Sequence, residues 1–195
     1  RRRRRRRAAG RRARRAVSAA VRRVSIVGPG GAGKSTLARA LGARTGLPVV
    51  HLDARHWSAG WVEPDRAEWR RTVEALVAEP AWILDGNYGG TLDVRLAASD
   101  TVVFLDLSPA RCVWRAARRA WRYRGRSRPD MAPGCPEQFT WEFARWIWTY
   151  RRRRRPDVLR RLAALPPTTA VVHLRTPRAV ARWLRVVPPA AGATP

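Results

Sequence analysis

The chain contains 41 Lys and Arg residues, of which a single one is lysine. That residue, Lys34, lies in the run Gly28-Pro29-Gly30-Gly31-Ala32-Gly33-Lys34-Ser35. Its four glycines permit positive φ and close approach, so that successive backbone N–H groups can turn toward phosphate oxygens. A compact, rotatable ammonium suits such a cradle better than arginine's planar fork. Val24-Ser25-Ile26-Val27 ahead of the run reads as a buried strand, and Leu37, Ala38, Ala40 and Leu41 behind it recur at helical spacing. The run thus joins strand to helix, and the positive end of the helix adds to the cradle. Gly28, Gly30, Gly31, Ala32, Gly33, Lys34, Ser35 and Thr36 are the expected nucleotide-binding residues. Lys34 would reach the β- and γ-phosphates of ATP, and Ser35 would ligate Mg²⁺.

Three acids close apolar runs further along. Asp85, after Ala81-Trp82-Ile83-Leu84, suits a carboxylate that holds Mg²⁺ through water beside Ser35, and with Gly86 it also fits a plain turn. Asp53, after Pro48-Val49-Val50-His51-Leu52, could accept a substrate hydroxyl's proton, help hold the metal, or cap the next element. Asp106 precedes Leu107-Ser108-Pro109, a helix start, and reads as structural.

Between residues 109 and 128 there are eight arginines and no acid. Arg115, Arg118, Arg119 and Arg122 share one helix face, opposite an apolar stripe of Val113, Ala117, Ala120 and Trp121. Like charges at i,i+4 cost a few tenths of a kcal/mol per pair, so the stripe implies an anionic partner or a solvated basic face. Arg126 and Arg128 continue it into a Gly- and Pro-rich stretch, 125–136, that reads as a lid. Arg119, Arg122, Arg126 and Arg128 would close over a transferring phosphate. Phe139, Phe143, Trp146, Ile147 and Tyr150 form an apolar helix face, followed by Arg151 to Arg155 at the negative helix end. The three histidines offer no i,i+4 metal pair; His173 reads as a core-strand residue, and His56, near Asp53, as a site candidate.

The elements that must position these groups are apolar strands at 24–27, 48–53, 81–86, 101–106 and 170–174, with helical patterns between them. Continuous apolar strands alternating with helices indicate a three-layer α/β/α fold with a parallel sheet, whose ligands bind beyond the strands' carboxyl ends. With 195 residues and 45% apolar content, a single domain over 24–187 is expected, its lid at about 123–138. Residues 1–23 hold thirteen arginines and no acid and read as a disordered Arg/Ala tail: a fragment, an over-extended start, or an arm binding nucleic acid nonspecifically. Much of the net charge of +27 lies there, so basicity alone does not indicate a nucleic-acid partner. Residues 188–195 read as a flexible Pro/Ala end. Cys112 and Cys135 give neither a disulfide framework nor a zinc site, and no apolar run reaches the ~20 residues of a membrane span. A cytoplasmic protein is the expectation.

Further motifs accompany the phosphate loop: His51-Leu52-Asp53 with Trp57 and Gly60-Trp61, then Leu84-Asp85-Gly86-Asn87-Tyr88, then Arg126-Ser127-Arg128-Pro129-Asp130-Met131 with Gly134-Cys135-Pro136-Glu137. On these the chain, from about residue 24 to 160, resembles the adenylate-kinase-related family of small P-loop proteins labelled DNA topology modulation proteins. The resemblance implies a P-loop kinase fold with strand order 2-3-1-4-5, ATP and Mg²⁺ binding, and an arginine-bearing lid. Asn87-Tyr88 stands where adenylate kinases carry Phe-Pro-Arg, which argues against AMP as acceptor. One lid cysteine excludes the zinc-bearing lid of some adenylate kinases. Asp53, His56, Trp57 and Trp61 form an acceptor side suited to a small hydroxylated or nucleoside-like molecule, unless the tryptophans serve packing alone. The expected activity is ATP-dependent phosphorylation of a nucleotide or small hydroxylated molecule, or ATP hydrolysis. A nucleic-acid-associated ATPase and a catalytically silent nucleotide binder are the alternatives.

Overall fold

A computed structural model describes residues 21–190, and the disorder expected at 1–20 and the flexibility expected at 191–195 lie outside the described residues. β1 (Arg23–Val27), β2 (Val49–His51), β3 (Trp82–Asp85), β4 (Thr101–Leu105) and β5 (Ala170–Leu174) form one parallel sheet in the order β2-β3-β1-β4-β5. The three central strands are buried almost throughout, which is why they read as continuous apolar runs rather than alternating ones. The helices are α1 (Lys34–Thr45), α2 (Leu52–His56), α3 (Arg66–Ala78), α4 (Leu92–Ala98), α5 (Pro109–Arg122), α6 (Trp141–Arg153), α7 (Arg155–Ala163) and α8 (Pro177–Val186). They cover the sheet through separate clusters, one around Leu37, Leu41, Ile147 and Trp183 and another around Leu92, Leu96, Tyr150 and Leu162.

Side chains account for the element ends. Thr176 caps α8 by accepting from the Ala179 N–H at 3.1 Å, and Asp65 caps α3 by accepting from the N–H groups of Ala67 and Glu68. At α1 the cap is Gly33, with φ 93°, so the phosphate-loop turn itself starts the helix.

Several expectations require correction. β2 stops at His51, and Asp53 lies in the first turn of α2 rather than at a strand end. Leu52 is drawn fully into the cluster of Trp69, Trp82 and Leu84, which turns the chain there. On α5 the buried positions are Cys112 and Ala116, whereas Trp121 is 80% exposed. That rotation follows from the loop beside it: a Cβ at Gly31 would lie 2.1 Å from the Cys112 carbonyl oxygen, so α5 rests directly on the glycine. His173 is not a core residue; it stacks on Phe104 at the open side of β5, and its ring Nε2 lies 2.8 Å from Asp106. Arg23, assigned to the tail, begins β1, and its N–H donates to Asp100 at 2.7 Å. At the other end Ala190 still donates to the Arg44 carbonyl at 3.0 Å, beyond the expected domain limit of 187.

The expected lid is irregular, and it is fastened to the segment after α2. Gly60 donates to the Gly134 carbonyl at 3.0 Å, and the Cys135 thiol donates to the Ser58 carbonyl at 3.1 Å. Met131, Ala132 and Cys135 pack with Trp57 and Trp61. Trp61 has φ 64°, the one positive φ of a non-glycine residue among those described. Such strain persists where surrounding contacts hold it. Among the described residues no helix is long and apolar enough to cross a membrane.

Candidate active site

The carboxyl ends of β1, β2 and β3 open into a cleft of about 1470 Å³. That exceeds the size of an ordinary small-ligand site and leaves room for two ligands side by side. Gly30, Gly31, Ala32, Gly33, Lys34, Ser35 and Thr36 line its floor. Gly28 lies behind them, where a Cβ would come 2.5 Å from the Leu105 carbonyl oxygen, so it sets the loop's path without facing the cleft. Lys34 folds back over the loop, its Nζ donating to the Pro29 carbonyl at 3.1 Å. Burial lowers its pKa, against the raising influence of Asp53 and Asp85. A desolvated ammonium with a single neutral acceptor gains from an incoming phosphate, so the loop fits a nucleotide.

Asp85 is almost fully buried and does not line the cleft; one of its oxygens lies 2.5 Å from His51 Nδ1. β2 and β3 pair with His51 opposite Asp85, so sheet register makes this contact. The hydrogen bond lifts the His51 imidazole above its usual value despite burial. A second carboxylate, Asp130 from the lid, reaches the same end of the loop. Burial raises its pKa, but Arg128 and the Ser35 hydroxyl outweigh that and hold it below the usual range. Ser35 and Asp130 lie together at this end of the loop, and their oxygens suit a hard cation such as Mg²⁺.

Across the cleft Asp53 accepts the Tyr88 hydroxyl at 2.8 Å on Oδ1, while Oδ2 lies 3.8 Å from Arg128 Nη2. Arg95 holds the loop that carries Tyr88: fully buried, it donates to the carbonyls of Gly86 and Tyr88, both at 3.2 Å. Burial lowers its pKa to about 10. Trp57 and Trp61 line the cleft beside Asp53, their rings 5.3 Å apart at 70°. His56 does not line it; its ring lies among Trp57, Trp69 and Tyr88, its Nδ1 has no partner, and burial lowers its pKa.

Arg115, Arg118, Arg119, Arg122 and Arg128 all line the cleft, whereas Arg126 is exposed outside it. The rim is less unpaired than the acid-free stretch 109–128 suggests. Glu137 accepts from Arg119 at 3.0 Å and pairs with Arg128, which also donates to Asp130 at 3.0 Å. Asp130, Glu137, Tyr88, His51 and Arg95 went unassigned in the sequence reading. His51, Tyr88, Asp130 and Glu137 sit inside the motifs that carried the family resemblance, and that was the available signal; nothing local marked Arg95.

No family model matches the chain, and no curated protein matches it in sequence. Solved structures do match. Shikimate kinase from Acinetobacter baumannii, in complex with shikimate, superposes with a TM-score of 0.55 at 17% identity, over 85% of this chain and 90% of that one. Shikimate kinase from Bacteroides thetaiotaomicron gives 0.51 at 15% identity, over 85% and 95%. The fold is that of the P-loop kinases.

Proposed function

We propose that the protein transfers the γ-phosphoryl group of ATP to a small hydroxylated acceptor. The observation that carries this reading is one cleft with Lys34 and Ser35 on its floor and an oriented carboxylate, Asp53, on its opposite wall. With Oδ1 occupied by Tyr88, Oδ2 is the oxygen available to an acceptor hydroxyl. The acceptor oxygen would bond to the γ-phosphorus as the bond from that phosphorus to the β-phosphate's bridging oxygen breaks. The hydroxyl proton passes to Asp53, and ADP leaves. Mg²⁺, held by Ser35 with Asp130 and Asp85, would neutralise charge on the phosphates. Arg115, Arg118 and Arg122 on the rim would face the developing charge. Coupled ADP release tests the reading across neutral polyols, amino alcohols, hydroxy acids and nucleosides. Lys34→Ala should abolish release, and Asp53→Asn should remove the acceptor-stimulated part while leaving ATP binding intact. Wild-type turnover by the Lys34 variant would sink the assignment.

One feature favours a second reading, a nucleic-acid-associated ATPase of the kind the label DNA topology modulation names. Trp114, Arg118 and Trp121 on α5, and Trp141, Arg145, Trp148 and Arg152 on α6, follow i, i+4, i+7 spacing and are exposed. Arg118 lies over the Trp114 ring at 5.4 Å. Exposed indoles interleaved with guanidinium groups suit stacking on single-stranded bases. Fluorescence polarisation with single-stranded DNA separates the readings: affinity that survives removal of residues 1–20 but falls with Trp121→Ala and Trp148→Ala favours this one.

A further inference from the structure

We infer that the acceptor carries a positively charged amine as well as its reacting hydroxyl; this deepens the kinase reading above and rests on it. In a chain with a formal charge of +27, the acceptor end of the cleft gathers Asp53, Glu63, Asp130 and Glu137. The cations beside them are already matched. Arg128 pairs with Asp130 and Glu137 and approaches Asp53, Arg119 pairs with Glu137, and Arg39 lies 3.9 Å from Asp130. Arg95 is buried behind the wall and bonded to backbone carbonyls. Arg128 and Arg119, the buried and half-buried guanidinium groups at this end, are thus engaged by carboxylates, and only Arg39, half exposed, retains open donors among the cations that line it.

What remains open to a ligand has the opposite character. Glu63 lines the cleft, is exposed, and makes no ion pair among the described residues. Trp57 and Trp61 meet nearly at right angles and form a corner beside Asp53. An ammonium is attracted to indole faces within about 6 Å of the centroid, and neighbouring carboxylates add to the attraction. Trp61 is fixed in position by the Ser58–Val62 turn and by Gly60, which donates to the Gly134 carbonyl of the lid. A hydroxyl on Asp53 and an ammonium against the tryptophan corner would orient one small molecule at two points.

The test uses three compounds built on a six-carbon polyhydroxy chain that differ in charge: N-methylglucamine, sorbitol and gluconate. Each is titrated by ligand-observed saturation-transfer NMR into the intact protein with a non-hydrolysable ATP analogue and Mg²⁺. The expected order is N-methylglucamine, then sorbitol, then gluconate, with the amine preferred over sorbitol about five-fold, the equivalent of roughly 1 kcal/mol. Glu63→Gln, at an exposed position, should reduce that preference without changing sorbitol binding. Trp57→Ala should abolish it, and Trp57→Phe should restore part of it, a pattern that a packing role alone does not produce. Equal or reversed preference, or no binding of any probe while the nucleotide analogue binds normally, overturns the inference and leaves the kinase reading in place. Failure of the analogue itself to bind overturns both.

Discussion

Glu137→Gln probes how the lid is held. The Glu137 carboxylate is 3% exposed and lies between Arg128, 6% exposed, and Arg119, 28% exposed. Breaking a buried pair by removing one charge costs about 3–5 kcal/mol, because the partner is left uncompensated. Here Arg128 keeps Asp130 at 3.0 Å, and Arg119 has partial access to water, so the loss is reduced to about 2–3 kcal/mol. The loss falls first on local opening of residues 125–136. At those energies the open population rises roughly 30- to 150-fold. Limited trypsinolysis reads it directly, since the Arg126–Ser127 bond becomes cleavable when the segment detaches, whereas Arg128–Pro129 resists trypsin in either state, and the fragment that begins at Ser127 is quantified by mass. Unchanged cleavage in this variant refutes the view that the charge cluster latches the lid.

Tyr88→Phe removes the 2.8 Å bond to Asp53; since Asp53 is 37% exposed, stability should fall by no more than about 1 kcal/mol, while kcat drops about ten-fold with KM for ATP unchanged. Burial beside Asp53 pushes the phenol's pKa up, so it stays a donor at every working pH. Gly31→Ala must place a Cβ 2.1 Å from the Cys112 carbonyl at φ 72°, and it should lose nucleotide binding measured by calorimetry along with several degrees of Tm. Thr176→Ala should lower Tm by about 2–4 °C through loss of roughly 1 kcal/mol of capping. Asp65 accepts the N–H groups of Ala67 and Glu68, which lower its folded pKa, so its contribution exists above the unfolded value and disappears as pH falls through the folded one. Thermal melts of Asp65→Ala should therefore lie below wild type at pH 7 and converge with it as pH falls below the usual aspartate range.

Sheet and phosphate loop were legible because each rests on short-range chemistry. Val24 to Val27 and Thr101 to Leu105 are apolar on both faces, and Gly31 and Lys34 have few structural roles other than the one they fill. What escaped depends on contacts distant in sequence. His51 meets Asp85 across 34 residues through strand register, and Arg119 finds Glu137 across 18 through the path of the lid. The apolar stripe misassigned to Trp121 shows the same limit. Spacing places residues on a common face, but the close contact of Gly31 with α5 decides which face turns inward. Asp53 lies in α2 rather than at the strand end expected for it, since burial of Leu52 rather than any local signal ends β2.

The solitary lysine has a practical consequence. Apart from the chain terminus, Lys34 supplies the sequence's one primary amine, and its lowered pKa enriches the neutral, nucleophilic form. Amine-acylating reagents should thus label a single side chain, on the floor of the cleft, against a background of arginines that do not react. A reporter attached there needs no engineered cysteine or tag, and protection from acylation by a bound ligand would measure occupancy of the loop in the purified protein.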